Sequence, residues 1–593
     1  YIINYQIIKI KTMKKSYILF SFLLVSIVAF AQRPLPIQLT PTEVAALANY
    51  ERPTYPRSIF TSPPNGAVRT MAEWEEVQAL TITWTGYQAI LREIVRHAKE
   101  EVDVIIICND SVSVKSYLAN YNITNQNVSF IQKAYNSIWI RDYGQHSVYL
   151  NDVDSLVLVD WIYNRPRPAD DLIPRWVADK TNLDLYATTQ SPTDLVNTGG
   201  NFMSDGLGRG FASSLILDEN KPGNPYGVSS KTEAQIDTIM KHFMGIEPYI
   251  KMQTLPYDNI HHIDMHMKLL DEETILIGEY PQGVADGPQI EANINYIKNN
   301  YLSSFGTPFR FVRIQMPPDG TNRYPNQGGD YRTYTNSVFI NKLVLVPIYD
   351  PTYDFPALEI YRKNLPGYKV VGINCNSIIQ NLGALHCITK SVGVTNPLRI
   401  VHQPIRDTVA VASNYTVEGL IQHRSGIANA KIYYTTDTTQ IYQTTPMSFV
   451  SGDTWQGFIP TQSDGSEVFY YIEATANSGK IQNRPMSAPQ GFWNFRIDQF
   501  VSTAQPKNVS IAMAKVFPNP AADYVIAPII IDKPIMATIQ LLDITGKVAQ
   551  TVFEGKVNRS YNQNIDVSQL SKGIYFLTLR TVEGIQTQKI IVD

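Results

Sequence analysis

The segment NLGALHCITKS, residues 381–391, leads through small residues to a His–Cys pair. A thiolate is a strong nucleophile, and a nearby histidine can lower its pKa and later return a proton. Three other polar clusters lie upstream: SIWIRDYGQHSVYL with Trp139, Arg141 and Asp142; NTGGNFMSDG with Gly199, Gly200 and Asn201; and HHIDMHMKLL with His261, His262, Asp264 and His266. Two chemistries are open. If the last cluster is a strand, His262, Asp264 and His266 share one face and form a ligand set suited to zinc. Alternatively His262 serves Cys387, since the members of such pairs are normally distant in sequence. Asp142 and Asp264 would then suit a planar cation, because each carboxylate can accept paired N–H bonds from a guanidinium. A cysteine protease would have little use for those two acids.

Two arginines in WIYNRPRPADD add a possible anion site. Arg165 and Arg167 alternate, so in extended chain they share a face and could grip a carboxylate; the alternative is a pair of surface arginines. The remaining cysteines argue against a disulfide framework, since Cys108, Cys375 and Cys387 are an odd and sparse set. Cys108 lies in the apolar run VDVIIICND and reads as a core thiol. Cys375 ends another strand, where a local Cys375–Cys387 bridge is open.

The elements that must carry these clusters alternate from about Thr70 to Thr395. AILREIVRHAKEE has helical spacing and VDVIIIC follows as a strand. SLVLVDWIY and ETILIGEY are strands, QIEANINYIKNNYLSSF is a helix and PFRFVRIQM a strand. SVFINKLVLVPIYD is a hairpin turning at Asn341-Lys342, FPALEIYRKNLPGY a helix and KVVGINC a strand. Such alternation predicts an α/β or mixed α+β layered fold. Beyond about Asn396 the helical patterns stop. TVAVASNYTVEGLI, AKIYYTTD, TWQGFIPT and EVFYYIEATAN alternate as strands of a β-sandwich. A polar, aperiodic linker is expected at 499–512, followed by a last small β unit.

The succession Trp139-x-Arg141-Asp142, Gly199-Gly200-Asn201, His262-x-Asp264 and Gly-Ala-Leu-His-Cys resembles the agmatine deiminase and bacterial peptidylarginine deiminase family over about 330 residues. The resemblance implies a pseudo-fivefold α/β propeller with a central active site, spanning residues 60–395. It implies Cys387 as nucleophile, His262 as general acid/base, and Asp142 and Asp264 as the carboxylates holding the guanidinium. Trp139 would pack on the substrate, and Asn336 would be a polar substrate contact. No metal or cofactor is implied. In the bacterial peptidylarginine deiminases, the segment matching Arg165 and Arg167 grips the α-carboxylate of a C-terminal arginine; agmatine has no such group. This chain departs from agmatine deiminases at Asn197-Thr198-Gly199-Gly200, where they usually carry an acid just ahead of the glycines.

Export is expected from both ends. MKKSYILFSFLLVSIVAFAQ, from Met13, has the Lys pair, apolar run and Ala-Phe-Ala site of a signal peptide at 13–31; residues 1–12 would precede the start. Gln32 stands where a lipoprotein needs Cys. No later run reaches the ~18 apolar residues of a membrane span. Residues 513–593 resemble the C-terminal sorting domain of type IX secretion, through Pro518-Asn519-Pro520, Asp543…Thr545-Gly546 and Lys572-Gly573-Ile574-Tyr575. That implies the type IX machinery as a partner and a secreted or surface-attached protein. The β-sandwich at 396–498 resembles an immunoglobulin-like domain and reads as a stalk. A formal net charge of −3 over 593 residues gives no sign of a nucleic-acid partner. The expectation is a secreted deiminase converting arginine of peptides or proteins, C-terminal arginine above all, to citrulline. The alternatives are an agmatine or free-arginine deiminase, or a non-enzymatic adhesin.

Overall fold

The computed structural model describes residues 34–47, 49–55, 59–406, 408–498 and 510–593. The expected signal peptide lies outside them, as does most of the expected linker. Pro36–Asp593 folds as one unit.

Between Val68 and Gly393 the chain forms five small sheets built from one repeating unit. A short strand pairs antiparallel with the next, a helix crosses over, and a third strand adds in parallel. Met267–Leu269, Thr274–Glu279, helix Gly287–Asn300 and Arg310–Gln315 make one such unit. Val338–Ile340, Leu343–Ile348, helix Pro351–Asn364 and Lys369–Asn374 make the next. The crossover helix is what a parallel pair requires, since a tight turn cannot reverse the chain twice. The fifth unit is split across the sequence. Its first strand, Lys390–Gly393, pairs antiparallel with Val77–Thr83, after which come helix Gln88–Ala98 and parallel strand Asp103–Cys108.

Burial explains the local patterns. In Asp103–Cys108 every residue after Asp103 is buried, as a strand covered on both faces demands. Helix Gln88–Ala98 buries Ile90, Leu91, Ile94, Val95 and Ala98, a single stripe. The Asn341-Lys342 turn forms with Asn341 at φ +51°, and Ile340 opposite Leu343. The Asn341 side chain accepts from Val77 N–H at 2.9 Å, tying that hairpin to the closing sheet.

Two boundaries and one strand arrangement refine the expectation. First, packing onto the core extends upstream of residue 60: Ile37 is fully buried in the main core, and helix Pro41–Leu47 follows it. That helix opens on a reciprocal cap, with Thr40 N–H donating to Glu43 Oε2 at 2.7 Å and Glu43 N–H to Thr40 Oγ1 at 3.3 Å. The segment carries no long periodicity because arginines elsewhere in the chain hold it. Second, Ile511 and Ala512 are not linker; strand Ile511–Met513 pairs with Ile531 and Ile530, too short a strand to leave an alternating pattern. Third, the strands of the region after 396 are linked by hydrogen bonds into one continuous nine-stranded network. It curls over a common core, bringing Tyr415 and Phe495 from distant strands to 5.1 Å between rings. The last region does form two sheets, of three and four strands, around Val525, Ile539, Leu577 and Ile590.

Candidate active site

The four polar clusters meet at one place. Helical turn Ile140–Tyr143 lies against the Cys387 loop: Arg141 N–H donates to Cys387 O at 3.1 Å, and Arg141 Nε to His386 O at 3.1 Å. Asn336, just before strand Val338–Ile340, holds the same loop. Its Oδ1 accepts from the N–H of Ala384 at 3.2 Å and of His386 at 3.0 Å, and its Nδ2 reaches Cys387 Sγ at 3.2 Å. Asn336, expected as a substrate contact, thus has its amide on the Cys387 loop, with its Nδ2 also 3.8 Å from Met265 Sδ. Trp139 is fully buried beside that loop. A Cβ on Gly383 would come within 2.4 Å of the Trp139 ring and 3.2 Å of Cys387 Sγ, so only glycine fits there.

Gly199-Gly200-Asn201 forms a 3-10 turn that slides between the other clusters. A Cβ on Gly199 would stand 1.9 Å from Arg141 O. A Cβ on Gly200 would stand 2.5 Å from His262 Nδ1, 3.1 Å from Asp142 Oδ1 and 3.2 Å from Asp264 Oδ2. Glycine therefore keeps the space between those three groups open. Across it, Cys387 Sγ lies 3.7 Å from Asp264 Oδ2, and His262 Nδ1 lies 3.6 Å from Asp142 Oδ1. Cys387, His262, Asp264 and Asp142 are all 0–1% exposed. Two buried polar atoms, His262 Nδ1 and Asp264 Oδ1, have no hydrogen-bond partner among the described residues. The other His262 nitrogen, Nε2, is engaged by Thr198 Oγ1 at 3.1 Å.

The zinc reading fails on geometry. Ile263–Met265 is a 3-10 turn, not a strand, so His262, Asp264 and His266 do not share a face. No described residues form a group of three potential ligands placed to hold a metal. Cys108, Cys375 and Cys387 are all free thiols, so the local bridge does not form either.

The two carboxylates differ in what supports them. Asp142 is pushed up to about 7 by burial and by the charge of Asp264, with only the Gly200 N–H at 3.3 Å and distant cations opposing this. Burial also acts on Asp264, but His386, with the charges of His262 and Arg141, outweighs it and holds that carboxyl below its ordinary value. His386 Nδ1 sits 2.7 Å from Asp264 Oδ2, while its Nε2 contacts Glu73. Glu73 in turn contacts Lys268 and, at 3.3 Å, Arg141. Glu73 and the role of His386 were absent from the sequence reading; the one available signal was that His386 adjoins Cys387. Burial brings His262 down to about 4, leaving it neutral. Burial, with the charges of Asp264 and Asp142, pushes the Cys387 thiol well up. The site thus holds a thiol, a neutral imidazole and an excess of negative charge.

Arg165 and Arg167 are buried, not surface groups, and their guanidinium groups are engaged by other parts of the chain. Arg165 Nε donates to Ile37 O at 2.8 Å and its Nη1 to Asn164 O at 3.1 Å, though its charge is felt at Asp142 and His262. Arg167 Nε donates to Glu43 Oε1 at 2.7 Å.

A thiol, an imidazole and two carboxylates around a glycine-lined space define a site for covalent chemistry on a planar cation. Residues 69–392, more than half of the chain, match the family described as Porphyromonas-type peptidyl-arginine deiminase. The chain belongs to that family of deiminases, which hydrolyse guanidino C–N bonds. Residues 515–593 match the secretion system C-terminal sorting domain, which implies export by type IX machinery to the surface or beyond. Among curated proteins, the chain is 23% identical to an agmatine deiminase assigned in Latilactobacillus sakei, over 57% of this chain and 99% of that one. It is 24% identical to one assigned in Mycoplasma mycoides, over 46% of this chain and 79% of that one. A solved structure described as an agmatine deiminase has the same fold, with a TM-score of 0.50 and 20% identity over 57% of this chain and 99% of that chain. Among the described residues, no helix is long and apolar enough to cross a membrane.

Proposed function

We propose that this protein is a secreted peptidylarginine deiminase that converts arginine, C-terminal arginine of peptides above all, to citrulline and ammonia. The observation that carries the reading is the convergence of Cys387, His262, Asp142 and Asp264 on the space kept open by Gly200. A guanidinium placed there pairs with both carboxylates and cancels the charge that keeps the thiol protonated. The thiol proton passes to His262, whose free Nδ1 faces the same space. The thiolate attacks the guanidinium carbon and a C–S bond forms. The resulting imidazolium donates its proton as the C–N bond breaks, and ammonia leaves a thiouronium. Water deprotonated by His262 adds to that carbon, the C–S bond breaks, and citrulline departs.

The same reading assigns the five-sheet region, with the segment from Pro36 packed on it, to catalysis, its five repeating units to a pseudo-fivefold propeller, 396–498 to an immunoglobulin-like stalk and the last region, from Ile511 on, to sorting. Arg165 and Arg167 are read as the clamp for the substrate carboxylate. One observation favours the runner-up, agmatine: the fork of Arg167 is already engaged by Glu43, and agmatine needs no clamp.

The test is citrulline and ammonia release by the full chain from a peptide ending in arginine, the same peptide with arginine internal, and agmatine. Preference for the first supports the reading. Turnover of agmatine alone moves the substrate to the runner-up. Unchanged turnover in Cys387→Ala overturns the chemistry.

A further inference from the structure

Arg167 already holds a carboxylate. Its Nε donates to Glu43 Oε1 at 2.7 Å and its Nη2 to Glu43 Oε2 at 3.4 Å, a two-point grip of the kind an arginine gives a terminal carboxylate. The same Nη2 donates to Pro36 O at 2.7 Å and Gln38 O at 3.3 Å, and Arg165 Nε to Ile37 O at 2.8 Å. Three successive carbonyls and one carboxylate of a single short segment thus engage both arginines, whose Nη1 groups go to Asn164 O and Tyr163 Oη. The segment is anchored at both ends: Ile37 is fully buried, and the Thr40–Glu43 cap fixes the Glu43 backbone. Arg167 is 1% exposed and Glu43 13%, so their pairing is shielded from water and from screening salt.

We propose that Pro36–Glu43 is a built-in occupant of the substrate clamp, with Glu43 standing where the C-terminal carboxylate of a peptide substrate would bind. This rests on the reading of Arg165 and Arg167 as that clamp. A peptide ending in arginine must displace the segment, so its apparent affinity is reduced by the fraction of molecules in which the segment is seated. Agmatine, with no carboxylate, does not compete with it. Glu43 thereby sets substrate preference without touching the reacting atoms.

The experiment uses the full chain. Glu43→Ala is compared with wild type on a peptide ending in arginine, its C-terminal amide, and agmatine. The expected result is a KM for the free-acid peptide lowered about 10-fold, with the amide and agmatine unchanged. If wild type prefers the acid over the amide but Glu43→Ala leaves its KM unaltered, the clamp stands and the occupant is overturned. If acid and amide react equally in both proteins, the clamp itself is wrong and the inference falls with it. Should Glu43→Ala fail to fold, Cys387→Ala decides. Backbone amides of 36–47 should exchange faster with deuterium when saturated with the acid peptide, and not with agmatine. Unchanged exchange with the peptide bound overturns the proposal.

Discussion

Asp264 Oδ2 is held 2.7 Å from His386 Nδ1 and faces Cys387 Sγ at 3.7 Å. The residue that orients the carboxylate is the immediate chain neighbour of the thiol it faces. Asp142, across the same space, has no such partner, only a backbone N–H at 3.3 Å and an imidazole at 3.6 Å. One carboxylate is therefore kept ionised while the other titrates near neutral pH, where an arriving cation would draw off its proton.

Binding should be proton-linked through Asp142. Its carboxyl is pushed up to about 7, so below that pH it is neutral and must ionise to pair with a guanidinium. Agmatine or peptide binding to Cys387→Ala, measured by calorimetry, should tighten as pH rises from 5.5 to 8. At pH 6 it should release about one proton to buffer. In Asp142→Asn the affinity should be weaker and flat with pH; a persistent slope would assign the titration elsewhere.

Removing the His386 imidazole should act through Asp264. In His386→Ala that carboxyl loses the hydrogen-bond partner that most opposes burial, so its pKa rises and binding weakens by about 10–100-fold, the worth of a hydrogen bond to a charged group. The pH midpoint for binding to the Cys387→Ala background should move upward. A loss of Tm with an unshifted midpoint would mean that His386 only packs.

Cys387→Ala should eliminate citrulline formation, and His262→Asn should lower kcat by about 10²–10⁴-fold, the usual value of acid–base assistance. Steady-state assays with labelled substrate check both. A covalent adduct trapped on Cys387 by acid quench, seen by mass spectrometry, would be expected to accumulate in the His262 variant.

Gly200→Ala should keep the fold and lose activity. Its methyl would press on His262 Nδ1 from 2.5 Å and intrude between the carboxylates. A displacement of about 1 Å at such a site costs on the order of 10²-fold. Gly199→Ala should instead lower Tm, because its methyl would strike the Arg141 carbonyl at 1.9 Å, and backbone has little freedom to retreat.

Much of this was legible because the clusters are compact in sequence. Trp139-x-Arg141-Asp142 and Gly199-Gly200 read as polar punctuation between apolar runs, and the runs themselves gave Asp103–Cys108 and helix Gly287–Asn300. What escaped was set by contacts with no local signature. His262 and Asp264 suggested a strand by their alternation, yet tertiary packing bends them into a 3-10 turn. Nothing in the neighbours of Asn336 reveals the Ala384 and His386 amides it serves. Glu43 and Glu73 were invisible: their partners, Arg167 and His386, lie more than a hundred residues away.

The split fifth unit has a consequence for when activity can arise. Strand Lys390–Gly393 must find Val77–Thr83, some three hundred residues earlier, before its sheet is complete, and Cys387 arrives only with that closing strand. Such distant pairing makes folding slow. A ribosome that has made everything up to residue 380 has made His262, Asp142 and Asp264 but not Cys387. If Cys387 is the nucleophile, as proposed, the pairing that completes the fifth sheet is also the step that arms the molecule, and a chain interrupted earlier in synthesis is inert.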